Sequence, residues 1–346
     1  MKKIIALSLT LAILLCACLT LASCNNTSAP VPIVCGEAGM NSTCGIATYG
    51  VDYYSLGLKA GDMAADILLN GKKASEMPVQ IDPNPTLIVN KAVADDIGFT
   101  IPDSVLSKAG SSTVTPVTRV ETVFKDDNAD FTVGILQLIQ HDALDKCNKG
   151  FQDQLSVRLA AANKTIKVID NNASGEEANN ATIAANLVSQ NVDLIYTIAT
   201  SSSQAAVSAT SETDIPVIFN AVTDPVGAGL VNSMDAPGKN VTGVSDINPV
   251  AQQIKLIAEL LGKEDIKIGF LYTSSETNSV YQVRDLAIPC CNEMGYEYAE
   301  QGIADINDLE YAILKLKQAG VDAIYIPTDN ILANGAATIH TFNVGD

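Results

Sequence analysis

Residues 216–231 read PVIFNAVTDPVGAGLV. A short β-branched and aromatic run breaks into a Thr-Asp-Pro turn and a Gly-spaced loop, the pattern of a buried parallel strand that delivers a polar loop at its C-terminal edge. Open α/β sheets bind ligands at that edge. The same unit recurs as YTIATSSSQ (196–204), GFLYTSSETNS (269–279) and AIYIPTDN (323–330). Several strand ends of one type imply one shared site.

Around this stretch the periodicity is regular. Strands at 131–138, 165–170, 193–200 and 216–222 alternate with helical patterns at 143–159, 176–189 and 202–210. Residues 241–244 form a shorter strand, and Pro249 opens a helix to Leu261 as a first-turn proline. A second set follows: strands at 266–272, 296–304 and 322–330, helices at 279–294 and 307–318, and a last helix from Ile331. The fold class is α/β, two doubly wound parallel-sheet lobes around a cleft. The second set is short of strands. The N-terminal part supplies candidates at 31–40, 45–52 and 86–90, with an extended MPVQI (77–81), a helix over 53–69 ending at Asn70-Gly71, and a short helix KAVADDIG (91–98). Residues 107–130 turn to Ser, Thr, Val and charge without helical period, which reads as a linker.

At 346 residues and 47% hydrophobic composition the chain can bury two cores. Its formal charge is −18; without Lys2 and Lys3, 19 basic against 39 acidic residues leave −20. Nucleic acid is therefore excluded as a direct partner. The N-terminus reads as an export signal: Lys2-Lys3, an apolar run over 4–21, then Leu21-Ala22-Ser23-Cys24, the small residues before Cys that bacterial lipoprotein signals carry. The resemblance to a lipobox implies a lipid on Cys24, hence residues 1–23 as signal, 24–30 as tether, and a lipid-anchored protein on the extracytoplasmic face of the cell membrane. Cys35, Cys44, Cys147, Cys290 and Cys291 remain, an odd number without CxxC, so no metal site is expected. Cys35 and Cys44 flank the turn GEAGMNST and are either a pair or buried thiols.

From 131 to 330 the chain strongly resembles type I periplasmic binding proteins of bacterial ABC importers, in the group of tryptophan- and tyrosine-binding lipoproteins. The residues that carry it are GILQLIQHDALD (134–145), IATSSSQAA (198–206), NAVTDPVGAGLV (220–231), NVTGVSD (240–246), LYTSSETNSV (271–280) and YIPTDN (325–330). The usual family ending stands at the front here, as PIVCGEAGM, GIATYGVDYYSLGLKAGDMAADIL and MPVQIDPNPTLIVNKAVADDIGFTIP. The chain thus looks circularly permuted. The mapping puts 131–246 and 45–71 in lobe 1, 247–346 with 31–44 and 77–101 in lobe 2, and the family's C-terminal segment at 31–106.

The resemblance implies capture of a small ligand, an aromatic or apolar amino acid, by lobe closure, and delivery to an ABC permease and its ATPase. No enzyme motif and no cofactor are expected. A zwitterion needs hydroxyls and helix-start amides for its carboxylate and an acid for its ammonium. Candidates for the first are Thr200, Ser201, Ser202, Thr223, Ser274, Ser275 and Ser279, each of which could instead cap a helix. Candidates for the second are Asp224, Glu276, Glu37 and, favoured, Asp329 with Asn330. Gln137 and Asn278 are placed to fix the ligand or the lobes, and Tyr49, Tyr53, Phe219, Leu138 and His141 to offer an apolar wall or ordinary packing. The alternatives are a surface sensor without transport, or a different solute such as a sugar or nucleoside.

Overall fold

The computed structural model describes residues 29–110 and 114–345. The signal, Cys24 and most of the tether lie outside the described residues. In chain order the strands are β1 (Ile33–Cys35), β2 (Ala47–Gly50), β3 (Thr86–Val89), β4 (Phe131–Gln137), β5 (Ile166–Asn172), β6 (Leu194–Ile198), β7 (Val217–Asn220), β8 (Val241–Val244), β9 (Lys267–Thr273), β10 (Glu297–Ile303) and β11 (Ala323–Ile326). They form two sheets. The first runs β5-β4-β6-β7-β8, parallel throughout; the second runs β10-β9-β11-β1-β2-β3, parallel except for the β2–β3 pair. Both are doubly wound, so the C-terminal edges of their central strands carry the loops that face the cleft. The protein has the type I periplasmic binding protein fold.

The N-terminal strand completes the C-terminal sheet. Val34 on β1 pairs with Tyr325 on one side and Ala47 on the other. Consequently β2 belongs to the second lobe, and the expectation that 45–52 joins the first lobe is corrected: the chain crosses only at Val51–Asp52. It then enters the helix Tyr53–Asn70, capped by Asp52 on the amide of Ser55 at 2.8 Å and closed by Gly71 in the left-handed conformation. That helix lies on Asp142–Ala161 in the first lobe. Glycines set their close approach: a Cβ on Gly57 would meet the Cys147 carbonyl at 2.3 Å, and one on Gly150 the Tyr54 carbonyl at 2.3 Å.

Residues 77–80 also belong elsewhere than expected. Val79 N–H donates to Met234 at 2.8 Å and Gln80 N–H to Gly243 at 2.9 Å, and Gln80 bridges Val244 in parallel, extending the first sheet past β8. Met77 and Val79 are buried there, so the chain regains the second lobe only with β3. The segment read as a linker is fastened at its far end. Val123 is buried in the first-lobe core, Phe124 pairs with Ile166, and the Arg119 guanidinium stacks 3.9 Å over the Phe124 ring.

Two helices depart from the expected lengths. The helix read over 279–294 starts at Thr277 and passes through a π-helical stretch, Gln282–Ala287, before Ile288–Met294. Pro289 has no N–H to give, and the widened turn accommodates it. The final helix divides at Gly335 into Asn330–Asn334 and Ala336–Val344.

The crossings between lobes are tied by buried polar contacts. Tyr53 donates to Asp246 at 2.8 Å, Thr223 to the other Asp246 oxygen at 3.1 Å, and Asn248 to the Thr328 hydroxyl at 3.0 Å. Burial holds the Asp246 carboxyl above the usual range.

Candidate functional site

The strand ends of the two sheets meet across a cleft that holds two adjoining cavities. One, of about 250 Å³, is lined by Leu138, Ile139, Thr200 and Ser201 from the first lobe and by Glu276, Asn330 and Ile331 from the second. The other, of about 280 Å³, is reached past Thr200, Gln204, Thr277 and Asn278, which wall both, and ends on Asp224 and Tyr281.

The first-lobe wall is the start of the helix Thr200–Ala209. Ala199 precedes it at φ 88°, ψ 160°, a conformation nearly reserved for glycine, and no side chain caps the helix. The first-turn amides therefore point outward toward the cavity, where the helix dipole favours negative charge. Thr200 is only 7% exposed, and its hydroxyl has no partner among the described residues. A second strained residue, Ala221 at φ 53°, follows β7, its amide held by the Asn220 side chain at 2.8 Å. Both strained positions lie at strand ends beside the cleft.

The second-lobe wall carries an acid. One Glu276 oxygen accepts from the Asn330 backbone and side-chain N–H groups, both at 3.0 Å, and the other from the Ile331 amide at 3.0 Å. Burial, and next the nearby Asp329 carboxyl, push Glu276 up to about 8. Since the Asn330 NH₂ faces Glu276, its carbonyl oxygen faces the first lobe, where His141 Nε2 lies 3.2 Å away and must be the donor. That hydrogen bond spans the cleft. Burial lowers the His141 pKa, which keeps the imidazole neutral and suits this role. The lobes also approach closely at Gly39, where an added Cβ would lie 3.3 Å from an Asp142 oxygen and 3.4 Å from the Ala143 nitrogen.

Thr200, Ser201, Ser275, Glu276, Asn278 and Asn330 are thus brought to one cavity, with Asp224 at the next and His141 on the seam. Other expected site residues are engaged within the fold. Asp329, the favoured acid, is corrected: it is 1% exposed and accepts from Thr273 N–H at 2.6 Å, Thr273 Oγ1 at 2.9 Å, Ser279 Oγ at 2.6 Å and Leu332 N–H at 2.9 Å. It bolts β9 to the Asn330–Asn334 helix and takes Ser279 with it. Glu37 turns onto the amides of Gly39 and Met40 in its own helix, and burial pushes it up to about 7. Gln137 folds back onto Ile139 and Asp145 at 2.9 and 2.7 Å. Thr223 and Tyr53 serve the lobe crossing, as above. Ser274 is exposed and donates to the Ile303 carbonyl at 3.0 Å. Tyr49 packs against the second-lobe core and Phe219 lies inside the first.

Ser202 is buried and donates to Asn180 Oδ1 at 2.8 Å. Asn180 was not foreseen. It occupies the buried register of Ala184 and Leu187 on the helix Glu177–Ser189, and an amide at an apolar register position is the signal that reveals it. Among the described residues no group of three His, Cys, Asp or Glu side chains converges as a metal site.

The family model described as ABC transporter substrate binding protein matches residues 9–113 and 132–344. The tyrosine-binding protein of Clostridioides difficile is 40% identical over 209 residues, 60% of this chain and 59% of the relative, so the match spans less than two thirds of that protein. An ABC domain of Streptococcus pneumonia solved in complex with L-Trp is 37% identical, with TM-score 0.56 over 62% of this chain and 71% of its own. A conserved domain protein of Vibrio cholerae is 34% identical, with TM-score 0.53 over 60% and 71%.

Proposed function

The chain belongs to the ABC transporter substrate-binding protein family, whose members bind their substrate without transforming it, and on that premise we propose that it captures an aromatic or apolar amino acid between its lobes and delivers it to an ABC importer. The observation that carries this reading is the opposed polarity of the two walls: an uncapped helix start at Thr200 faces a carboxylate at Glu276 across one cavity. The ligand carboxylate takes the amides and hydroxyls of the first, its ammonium takes Glu276, and Leu138, Ile139 and Ile331 receive the apolar part. Tyr281 in the adjoining cavity offers an aromatic wall. The tyrosine- and tryptophan-binding relatives support the ligand class.

We also propose that Cys24 carries the lipid that holds the protein at the membrane, and that the chain is a circular permutation. The permutation is supported by β1 and β2 filling the sheet begun by β9 and β11, and by the two family blocks flanking residues 114–131. The test of function is thermal unfolding of the form beginning at Asn25 with each of the twenty amino acids, myo-inositol and adenosine. Tyrosine, tryptophan or phenylalanine at 100 times its Kd adds about 2.7 kcal/mol. A melting temperature moved only by the sugar-like or nucleoside probe, or by none, overturns the amino-acid reading.

A further inference from the structure

The geometry points to Asn180 as the positioning residue that makes the first-lobe wall a one-sided hydrogen-bond donor and so fixes which end of the ligand it accepts. Asn180 lines neither of the two cleft cavities. It is fully buried behind the start of the helix Thr200–Ala209, with its amide between two consecutive serines. Ser202 Oγ donates to Asn180 Oδ1 at 2.8 Å, and Asn180 Nδ2 donates to Ser201 Oγ at 3.4 Å.

The consequence lies in the second bond. Ser201 lines the cavity, and because its oxygen accepts from behind, its own proton is left available to donate into the cavity. The uncapped first-turn amides add donors of the same sense, and the Thr200 hydroxyl beside them can turn to donate as well. The chain of polarity runs from Ser202 through Asn180 to Ser201 and ends on the ligand. Turning the amide over would make Ser201 an acceptor facing the cavity, which opposes an anion. Asn180 therefore selects a carboxylate over a neutral carboxamide at this end, while Glu276 holds the ammonium at the other.

This inference rests on the amino-acid reading, and its test separates the two. Affinities of L-tyrosine and L-tyrosinamide, which share ring and ammonium, are measured by calorimetry on the wild type, Asn180→Asp and Ser201→Ala. The wild type prefers tyrosine. Asn180→Asp keeps the shape but offers acceptors to both serines and a charge behind the anion, so it lowers the tyrosine-to-tyrosinamide preference by about 10-fold or more, with tyrosinamide binding changed by less than about 3-fold. Ser201→Ala, a partly exposed position whose fold does not depend on it, lowers the preference by about 3- to 10-fold and covers a failure of Asn180→Asp to fold. If tyrosine binds the wild type and both variants keep its preference, or lose the two ligands equally, Asn180 is only structural. If the wild type binds neither ligand nor any other amino acid, the amino-acid reading has failed and this inference with it.

Discussion

The two helix starts that face each other across the cleft follow the same strand–turn–helix unit and are finished in opposite ways. At Asn330 the start is closed twice over, by Asp329 on the Leu332 amide and by Glu276 on the amides of Asn330 and Ile331. At Thr200 it is left open behind a strained Ala199. Capped by acids, a helix start becomes a negative wall; uncapped, it remains a positive one. The difference gives the cleft a direction, and the ligand's two charges then have only one way to lie.

The largest effect should come from breaking the closed start. Asp329→Ala strands the amides of Thr273 and Leu332 and two hydroxyls in the interior, and should lower stability by about 3 kcal/mol or more in urea unfolding. A variant that melts normally but no longer binds would return Asp329 to the ligand. Glu276→Gln sharpens the comparison instead, because it removes only the charge. We expect amino-acid binding to weaken by about 10- to 150-fold in calorimetry, the loss of a charge-assisted hydrogen bond of about 1.5–3 kcal/mol, with the ligand-free melt unchanged or raised. Unchanged affinity would place the ammonium elsewhere.

The pH dependence follows from the same acids. Glu276 and Glu37 both have folded pKa values raised above their unfolded value, to about 8 and about 7, by burial first. Such groups contribute stability that is complete below the unfolded pKa of 4.5 and is lost as pH rises through the folded value. The ligand-free protein should therefore melt progressively lower from about pH 5 to pH 8. Ligand binding should reverse the trend, because an ammonium beside Glu276 favours its ionised form, and calorimetry near pH 7 in buffers of different ionisation enthalpy should show proton release. Proton uptake on binding would break the assignment.

Much of this was legible in the sequence because it follows from pattern. Apolar runs ending in Thr-Ser-Ser, Thr-Asp-Pro or Thr-Asp-Asn marked the strand ends, and these do converge on one cleft. What the pattern could not say is which polar side chain looks outward. TDN and SSETN offer equivalent acids, and only the fold reveals that Asp329 meets Thr273 and Ser279 within its own lobe while Glu276 lies at the cavity. The lobe crossing was misplaced for a similar reason. GIATYGVD reads as a buried strand in either sheet, and its assignment depends on Val34 pairing with Ala47, a contact between segments that periodicity treats separately.

A smaller effect is expected at the seam. His141→Ala removes the hydrogen bond to Asn330 that spans the cleft, which stabilises the closed state by about 0.5–1.5 kcal/mol. Ligand dissociation should quicken by up to about 10-fold in stopped flow, with association little changed, since the bond forms after the ligand has entered. A slowed association alone would show that His141 acts on entry.

The smallest effect tests why the open start is open. Ala199 holds φ 88° and ψ 160°, where an L-residue is strained by about 1–3 kcal/mol, whereas glycine is not. Glycine also enlarges the unfolded ensemble, at about 0.5–1 kcal/mol, so Ala199→Gly should leave a net gain of about 1 kcal/mol in stability. If the strained geometry is there to aim the first-turn amides at the cavity, glycine can keep it without strain but is no longer confined near it. Affinity for the amino acid should then fall by a few-fold even as the melting temperature rises. A variant both more stable and equally tight would mean that the surrounding contacts, such as Ala199 N–H to the Asn220 carbonyl at 3.0 Å and Thr197 with Ser203 at 2.9 Å, hold the open start without help from the side chain.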